Sequence, residues 1–198
     1  MSDNIEINTE RLILRSIRVD DAETIFKYRS DSTINKYQGW IPNTIDDVYD
    51  FIKNRVAQNI DLVDTWHQFV IIKKEKNELI GDIGIHFLDS DKKQVEIGCT
   101  LDKNHQGKGY ATEALKELIN YLFHELHKHR IITSIDPNNI KSIELVERLG
   151  FRKEAHFKES ILIRGEWVDD LVYAILKHEW LKRRVPACAG RRSPDRTI

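Results

Sequence analysis

A short glycine-containing segment carries the clearest chemical signal of the sequence. Residues 104–112 read Asn-His-Gln-Gly-Lys-Gly-Tyr-Ala-Thr. Glycines let the main chain approach a ligand closely, and a helix that begins after them adds partial positive charge at its N-terminus. Such a loop can hold an anion, in particular a pyrophosphate. The alternative is that Gly107 and Gly109 only allow a tight turn between a strand and a helix.

The spacing of the two glycines excludes two common phosphate-binding motifs. A P-loop places four residues between its glycines and follows the second with Lys and then Ser or Thr. The dinucleotide-binding fingerprint requires three spaced glycines in a βαβ unit near the start of the fold. Residues 104–112 match neither pattern.

The elements that must position this loop form an α+β pattern. Apolar periodicity predicts strands over 5–16, 66–72, 79–87, 95–101, 130–135, 151–162 and 166–176. Start signals predict helices from Asp20, Thr44 and Asn139, the last of which ends at Gly150, and an apolar stripe over 111–122 predicts a helix directly after the loop. The short polar links between residues 66 and 101 favour an antiparallel meander.

Two motifs in this framework resemble those of a known family. Gln106-x-x-Gly109-x-Ala111 resembles the Q/R-x-x-G-x-G/A motif of the GNAT superfamily of acetyltransferases. Asn139-x-x-Ser142, followed by Leu-Gly-Phe at 149–151, looks like the matching C-terminal motif, and the order of elements over residues 5–180 is similar. The runs TERLILR at 9–15 and GKGYATEA at 107–114 look like the RimJ/RimL branch, which includes N-terminal acetyltransferases of ribosomal proteins and relatives that modify small amines.

The resemblance implies a fold and a donor. The fold is GNAT-like and α+β, with a central, mostly antiparallel sheet of about seven strands and flanking helices. Strands 95–101 and 130–135 would splay apart to form the cleft for acetyl-CoA, the implied acyl donor. Its pantetheine arm and pyrophosphate would contact the main chain of Cys99, Thr100 and Leu101 and of Gln106, Gly107, Lys108, Gly109, Tyr110, Ala111 and Thr112. Asn139 would contact the pantetheine or the reacting acetyl group, and Ser142 would also lie beside the donor.

Acetyl transfer requires a neutral amine, and Glu96 is the candidate base. Only about 0.04% of a lysine-like amine is neutral at pH 7, against roughly 10–20% of a peptide α-amine. Glu96 lies between Val95 and Ile97; if those two face the core, Glu96 faces a ligand surface. Its position resembles that of a carboxylate the family often uses. A solvent-facing strand residue is the alternative.

The residue that would protonate the leaving thiolate differs from the one found in many members of the family. Many GNAT enzymes use a Tyr four residues before the Gly of Gly-Phe, and Val146 occupies that position here. Ser142 is the candidate substitute, as in RimJ/RimL-like proteins, while an ordinary serine in the first turn of a helix is the alternative. The catalytic candidates are therefore Glu96, Ser142 and Asn139.

The acceptor is an amine whose identity the sequence leaves open. A protein N-terminus, a polyamine and an aminoglycoside-like small molecule all fit. Tyr37 and Trp40 precede Pro42 where the family's acceptor pocket is often built, and the run 166–170, which contains Trp167, could supply carboxylates to a cationic acceptor. Packing and a turn-flanking acidic patch are the alternatives. Two other functional classes fit the sequence. One is a catalytically weak acyl-CoA sensor or interaction module, and the other is an unrelated nucleotide-phosphate binder, against which the order of elements argues.

The bulk properties favour one cytoplasmic globular domain. The chain has 198 residues, of which 40% are hydrophobic, and its 31 basic and 32 acidic residues give a net charge of −1, which predicts neither nucleic-acid nor membrane binding. We predict a domain over 1–181, as a monomer or homodimer, and a disordered basic tail over 182–198 that is either functional or non-native. Cys99 and Cys188 predict no disulfide, and His124, His127 and His129 lack metal-ligand spacing, so no metal is expected.

Overall fold

The computed structural model describes residues 5–33, 35–88 and 91–184. The strands are β1 (Glu6–Asn8), β2 (Leu12–Ser16), β3 (Thr65–Lys73), β4 (Glu78–Phe87), β5 (Gln94–Leu101), β6 (Arg130–Ile135), β7 (Arg152–Ile163) and β8 (Glu166–Leu176). The α-helices are α1 (Ala22–Arg29), α2 (Ile45–Asp50), α3 (Tyr110–His124), α4 (Ile140–Leu149) and α5 (Lys177–Arg184). A π-helical turn over Phe51–Arg55 extends α2, and short 3-10 turns precede α1 and follow β5.

All eight strands form one sheet in the order β1-β2-β3-β4-β5-β6-β8-β7. Every neighbouring pair is antiparallel except β5 and β6, which are parallel. The predicted α+β fold is confirmed, with eight strands in place of about seven. The extra strand arises because residues 5–16 are not continuous: the chain turns at 9–11, where the Thr9 hydroxyl accepts a hydrogen bond from the Leu12 amide (2.8 Å).

Helices cover both faces of the sheet. On one face α3 buries its apolar stripe, with Ala114, Leu118 and Leu122 fully buried against the strands, which is the packing that the stripe predicts. On the other face α1 and α2 bury Ile25 and Val48 against Val70 of β3. We call these the α3 face and the α1 face. Because directly paired residues share a face, the strand register assigns each side chain of the sheet to one of them.

Strands β5 and β6 diverge after a short contact. They pair only where Gln94–Glu96 meets Arg130–Ile132. Beyond that point β5 continues to pair with β4, and β6 continues to pair with β8. The facing edges of 97–101 and 133–135 are therefore free of strand hydrogen bonds, which is the predicted splay.

The C-terminal helix extends past the predicted domain end. Lys182 and Arg183, which were expected in the tail, belong to α5. Trp180 anchors this helix, because its indole Nε1 donates a hydrogen bond to Asn120 Oδ1 (2.8 Å). The Arg183 guanidinium lies over Gly150, where a Cβ would clash with it. The rest of the predicted tail, 185–198 with Cys188, lies outside the described residues. Across the described ranges, the helices are all too short or too polar to cross a bilayer.

Candidate active site

A cleft of about 890 Å³ opens where β5 and β6 diverge, and a smaller cavity of about 110 Å³ continues from it. The two share lining residues, including Tyr37, Cys99, Asn139 and Ser142. Four segments supply the walls: the loop after α1, the end of β5, the start of α3 and the first turns of α4. The cleft therefore collects most of the predicted site residues, which are far apart in the sequence.

The glycine loop presents a row of free main-chain amides to this cleft. Gly107 and Gly109 have φ angles of 73° and 81°, a left-handed conformation that turns the chain sharply before α3. Within the described chain, the amides of residues 107–112 donate no hydrogen bond. Three belong to the first turn of α3, where helix geometry provides no acceptor. The loop is exposed and suited to an anion.

Gln106 differs from its neighbours because it is already engaged by the protein. Its amide donates to the Lys103 carbonyl (3.3 Å), and its side-chain Nε2 donates to the Leu101 carbonyl (3.0 Å). Gln106 therefore fixes the loop to the end of β5. Lys108 also folds back, since its Nζ donates to the Asn104 carbonyl (2.7 Å).

A brace that the sequence reasoning missed connects this loop to the first turn of the chain. Glu113 accepts hydrogen bonds from the Thr9 hydroxyl (2.5 Å), the Arg11 amide (2.7 Å) and Arg11 Nε (2.6 Å). Arg11 Nη1 also donates to the Lys108 carbonyl (3.1 Å), and its guanidinium lies over the ring of Tyr110. The signal was present, because these residues fall within the TERLILR and GKGYATEA runs, but only the fold brings the two runs together.

Asn139 and Ser142 meet at the start of α4, on the opposite wall of the cleft. Asn139 is the N-cap residue, and its Oδ1 accepts a hydrogen bond from the Ser142 amide (3.3 Å). This use of the carbonyl oxygen leaves the Asn139 amide donors for a ligand. The Ser142 hydroxyl makes no hydrogen bond to a described residue. Val146, one turn further along α4, is buried and lines the smaller cavity.

Glu96 lies at the point of divergence, on the α1 face of β5. Its neighbours Val95 and Ile97 are buried in the main core on the α3 face, as the alternation predicted. Burial raises the pKa of Glu96 above its ordinary value; the charge of His86 lowers it, and the charge of Asp170 raises it further. Glu96 forms no hydrogen bond or ion pair with a described residue. It is not itself a wall residue of either cavity, but Gly98, two positions along the same face, lines the smaller one.

Cys99 and Thr100 complete the β5 wall. Burial raises the pKa of the Cys99 thiol to about 12, with a further contribution from Asp82, so this thiol is protonated and unsuited to covalent catalysis. Thr100 lines the larger cleft, and its buried hydroxyl has no hydrogen-bond partner in the described part of the chain. Lys103, Lys141 and Arg148 also line the cleft, but Lys103 is paired with Asp31 (3.0 Å) and Glu144 lines the cleft as well.

The aromatic acceptor candidates are in different places. Tyr37 lines both cavities. Trp40 instead stacks on Phe51 of the π-helical turn after α2, with ring centroids 4.3 Å apart. Trp167 is 60% exposed on the β7–β8 hairpin and lines neither cavity. Trp40 therefore packs against a neighbouring ring, and Trp167 lies on an exposed hairpin; the acceptor roles of both stay predictions.

Comparisons with known proteins agree with this architecture. Residues 11–152 match the family model described as an acetyltransferase (GNAT) domain. The N-acetyltransferase p20 of Bacillus licheniformis is 35% identical over 87% of this chain and 96% of that protein. The crystal structure of a GNAT-family acetyltransferase from Bacillus anthracis superposes with a TM-score of 0.79 at 33% identity, covering 88% of this chain and all of the other.

Two relatives with named acceptors are more distant. The [ribosomal protein uS5]-alanine N-acetyltransferase of Escherichia coli (strain K12) is 26% identical over 91% of this chain and 95% of that protein. The spermidine N(1)-acetyltransferase of Vibrio cholerae is 26% identical over 87% and 97%. The family match, the identity to N-acetyltransferases and the shared fold lead to one conclusion: the chain belongs to the GNAT family and is an N-acetyltransferase.

Proposed function

We propose that this enzyme transfers an acetyl group from acetyl-CoA to a primary amine by direct attack within a ternary complex. The observation that carries the proposal is the row of free amides over 107–112 at the mouth of the cleft. Oriented amides at a helix N-terminus bind a pyrophosphate without needing a cationic side chain. The free edge of β5 beyond Glu96 supports a place for the pantetheine arm beside Cys99, Thr100 and Leu101.

Glu96 is the residue that we assign to accept the proton of the amine, directly or through water. At pH 7 deprotonation costs about 4.6 kcal/mol for a lysine-like amine and about 1–1.4 kcal/mol for a peptide α-amine. A carboxylate whose pKa is raised by burial is a stronger base than an exposed one, and a base is most effective when its pKa approaches the working pH. Within the described ranges Glu96 forms no competing hydrogen bond or ion pair, which supports this role.

Ser142 and Asn139 are assigned to the departing thiol. Collapse of the tetrahedral intermediate breaks the carbon–sulfur bond, forms the amide and leaves a thiolate that takes up one proton. Ser142 lines the cleft on the wall opposite β5, and its hydroxyl has no acceptor among the described residues, so it can donate to the thiolate. Asn139 Nδ2 can hydrogen-bond the pantetheine or the acetyl group. Val146 cannot supply a proton, so Ser142 takes the role that a Tyr fills elsewhere in the family.

The acceptor that we propose is a protein α-amine or a small-molecule amine. The named relatives act on a ribosomal-protein alanine and on spermidine, and the motif at 9–15 supports a place in the RimJ/RimL branch. We propose that the enzyme works in the cytoplasm, where acetyl-CoA and such amines occur together. An acyl-CoA sensor is the second candidate, and the Val146 departure is the observation that favours it.

A thiol-release assay tests the proposal. The protein is incubated with acetyl-CoA and a panel of short peptides, alkylamines and polyamines, and free CoA is followed over time. We expect release that depends on one class of amine. Ser142→Ala should lower turnover at least tenfold, about 1.4 kcal/mol of barrier, with little change in the KM for acetyl-CoA. Tight acetyl-CoA binding without turnover of any amine would instead favour the sensor.

A further inference from the structure

Asp170 is a buried carboxylate without a cationic partner. It lies on the α1 face of β8 and is only 8% exposed. The Ser134 hydroxyl donates to its Oδ1 (2.6 Å), and in the described ranges no Lys, Arg or His side chain forms an ion pair with it. Since a buried charge is costly unless it is paired, Asp170 differs from Asp82, another buried carboxylate of the sheet, which is paired with Arg29.

The neighbouring Asp169 provides a direct contrast. Its side chain lies on the opposite face, where it accepts hydrogen bonds from Lys158 Nζ (2.7 Å) and the Glu159 amide (3.0 Å) and contacts the His156 ring. The charge of Asp169 is therefore compensated within the protein. Of the acidic residues in the run 166–170, Asp170 is the one that combines burial with an unbalanced charge.

Asp170 adjoins the point where acyl transfer is proposed to occur. Ser134, its hydrogen-bond donor, lines the smaller cavity together with Gly98 on the other side of the divergence. Gly98 leaves open space, because a Cβ there would meet no described atom within 4 Å. Asp170 and Glu96 also interact electrostatically, since the charge of Asp170 raises the pKa of Glu96. Glu96 and Asp170 therefore lie on the same face of the sheet, on opposite sides of the divergence, although neither is a wall residue of either cavity.

The two carboxylates cannot serve the same nitrogen atom at the moment of reaction. The attacking nitrogen must be neutral, and its proton passes to Glu96, so the reacting amine does not balance the charge of Asp170. A second positive group on the acceptor would do so. In a desolvated site, such a pair also orients the acceptor, because the ammonium and carboxylate fix its far end.

We infer that Asp170, oriented by Ser134, binds a second cationic group of the acceptor and so selects diamines and polyamines over amines with a single positive charge. The inference rests on the proposed function, and it names a specificity-determining residue for the acceptor. A peptide with a basic residue next to its α-amine presents the same chemistry, so both sources belong in the test.

The experiment compares acceptors that differ only in the second charge. An α,ω-diaminoalkane is paired with the n-alkylamine of equal length, and a dipeptide amide ending in Lys is paired with its norleucine counterpart. For the wild-type enzyme we expect kcat/KM at least tenfold higher for the diamine than for the monoamine. Asp170→Asn preserves the shape and the Ser134 hydrogen bond, and it should abolish this preference, so that the ratio of kcat/KM for the diamine to kcat/KM for the monoamine falls to about one.

Two further variants separate recognition from structure. Asp169→Asn removes the adjacent carboxylate on the opposite face and should keep the preference, while Asp170→Glu restores the charge and should recover part of it. The inference would be overturned if Asp170→Asn lowered kcat/KM equally for the diamine and the monoamine, or if the wild type showed no preference. Either result would leave acetyl transfer intact. A preference confined to the dipeptide pair would overturn the assignment to diamines. Absence of turnover with every amine would overturn the proposed function and this inference together.

Discussion

Glu113, in the first turn of α3, binds Arg11, which lies 102 residues earlier in the chain, through both the main-chain amide and the guanidinium of that arginine. The same guanidinium donates to the Lys108 carbonyl. Because the Lys108 carbonyl lies between the two glycines of the loop, this brace holds the loop at its midpoint, next to the free amides over 107–112. The first turn of the chain therefore takes part in shaping the anion site without touching the anion.

Replacing Glu113 with Gln should weaken donor binding more than it slows chemistry. Gln retains one acceptor but loses the charge, so each remaining hydrogen bond to Arg11 is weaker; charged hydrogen bonds contribute about 1.5–3 kcal/mol and neutral ones about 1 kcal/mol. We expect the KM for acetyl-CoA to rise about tenfold, with kcat and the KM for the amine little changed. Steady-state kinetics with each substrate varied separately would measure this. Glu117→Gln, one turn along the same helix, is the control, and an equal effect in both variants would argue against the brace.

The pH dependence of turnover should follow the ionisation of Glu96. Burial raises its pKa above the ordinary glutamate value of 4.5. Only the ionised form accepts a proton, so kcat/KM should be low where Glu96 is protonated and rise as pH increases through this raised pKa. In Glu96→Gln this acidic limb should disappear, and the remaining rise should follow the amine alone. A pH profile of Glu96→Gln that keeps the limb would assign the base to another group.

Glu96→Gln should also affect different acceptors unequally. We expect a loss of at least tenfold for an alkylamine and a smaller loss for a peptide α-amine, because the α-amine is partly neutral without assistance. Parallel measurements of kcat/KM for the two acceptors provide the comparison. Equal losses would indicate that Glu96 acts on binding and not on the proton.

Gly107→Ala should reduce affinity for CoA through the main chain alone. Its φ of 73° is unfavourable for residues with a Cβ by about 1–2 kcal/mol, although no described atom within 4 Å would collide with that Cβ. The loop would relax toward another conformation and misdirect its amides. Calorimetric titration with CoA should show at least fivefold weaker binding. Gly165→Ala is matched, since it has a φ of 84° and equally open surroundings at the tip of the β7–β8 hairpin, and it should bind CoA normally.

Asp82→Ala should destabilise the fold. Asp82 is buried and accepts hydrogen bonds from the Tyr28 hydroxyl (3.0 Å) and from Arg29 Nε (2.9 Å) and Nη2 (2.6 Å). Removing it leaves the buried Arg29 without its partner, at a cost of about 3–5 kcal/mol. Chemical denaturation would measure the loss. Asp50→Ala removes an exposed carboxylate that pairs with Arg55 and accepts a hydrogen bond from Asn54, and it should change stability by less than about 1 kcal/mol.

Local signals in the sequence were sufficient for the helices around the site. The Thr44 cap, the apolar stripe of α3 and the Asn139 cap each depend on neighbours within a few residues, and each is present. The left-handed Gly150 that ends α4 has a φ of 95° and was predicted for the same reason. The alternation around Glu96 also predicted which face of β5 it occupies.

Features that depend on distant pairing were not predictable. The turn at 9–11 interrupts an apparently continuous strand, and its purpose becomes visible only when α3 lies beside it. The position of Trp40 before Pro42 suggests a place in the acceptor pocket, but its stacking on Phe51 depends on the path of the intervening loop. The run 166–170 offered several carboxylates, and only the strand register separates Asp170 from Asp169.

Gly81 of β4 and Gly98 of β5 differ in the space that the fold leaves for a side chain. At Gly81 any side chain would strike the Thr100 carbonyl and Leu101, so the closeness of neighbouring strands explains its smallness. At Gly98 the described chain would tolerate a methyl group without contact. An alanine at position 98 would therefore leave folding intact while narrowing the smaller cavity beside Ser134. The side chain at this position thus sets the width of the molecules that the enzyme can accept.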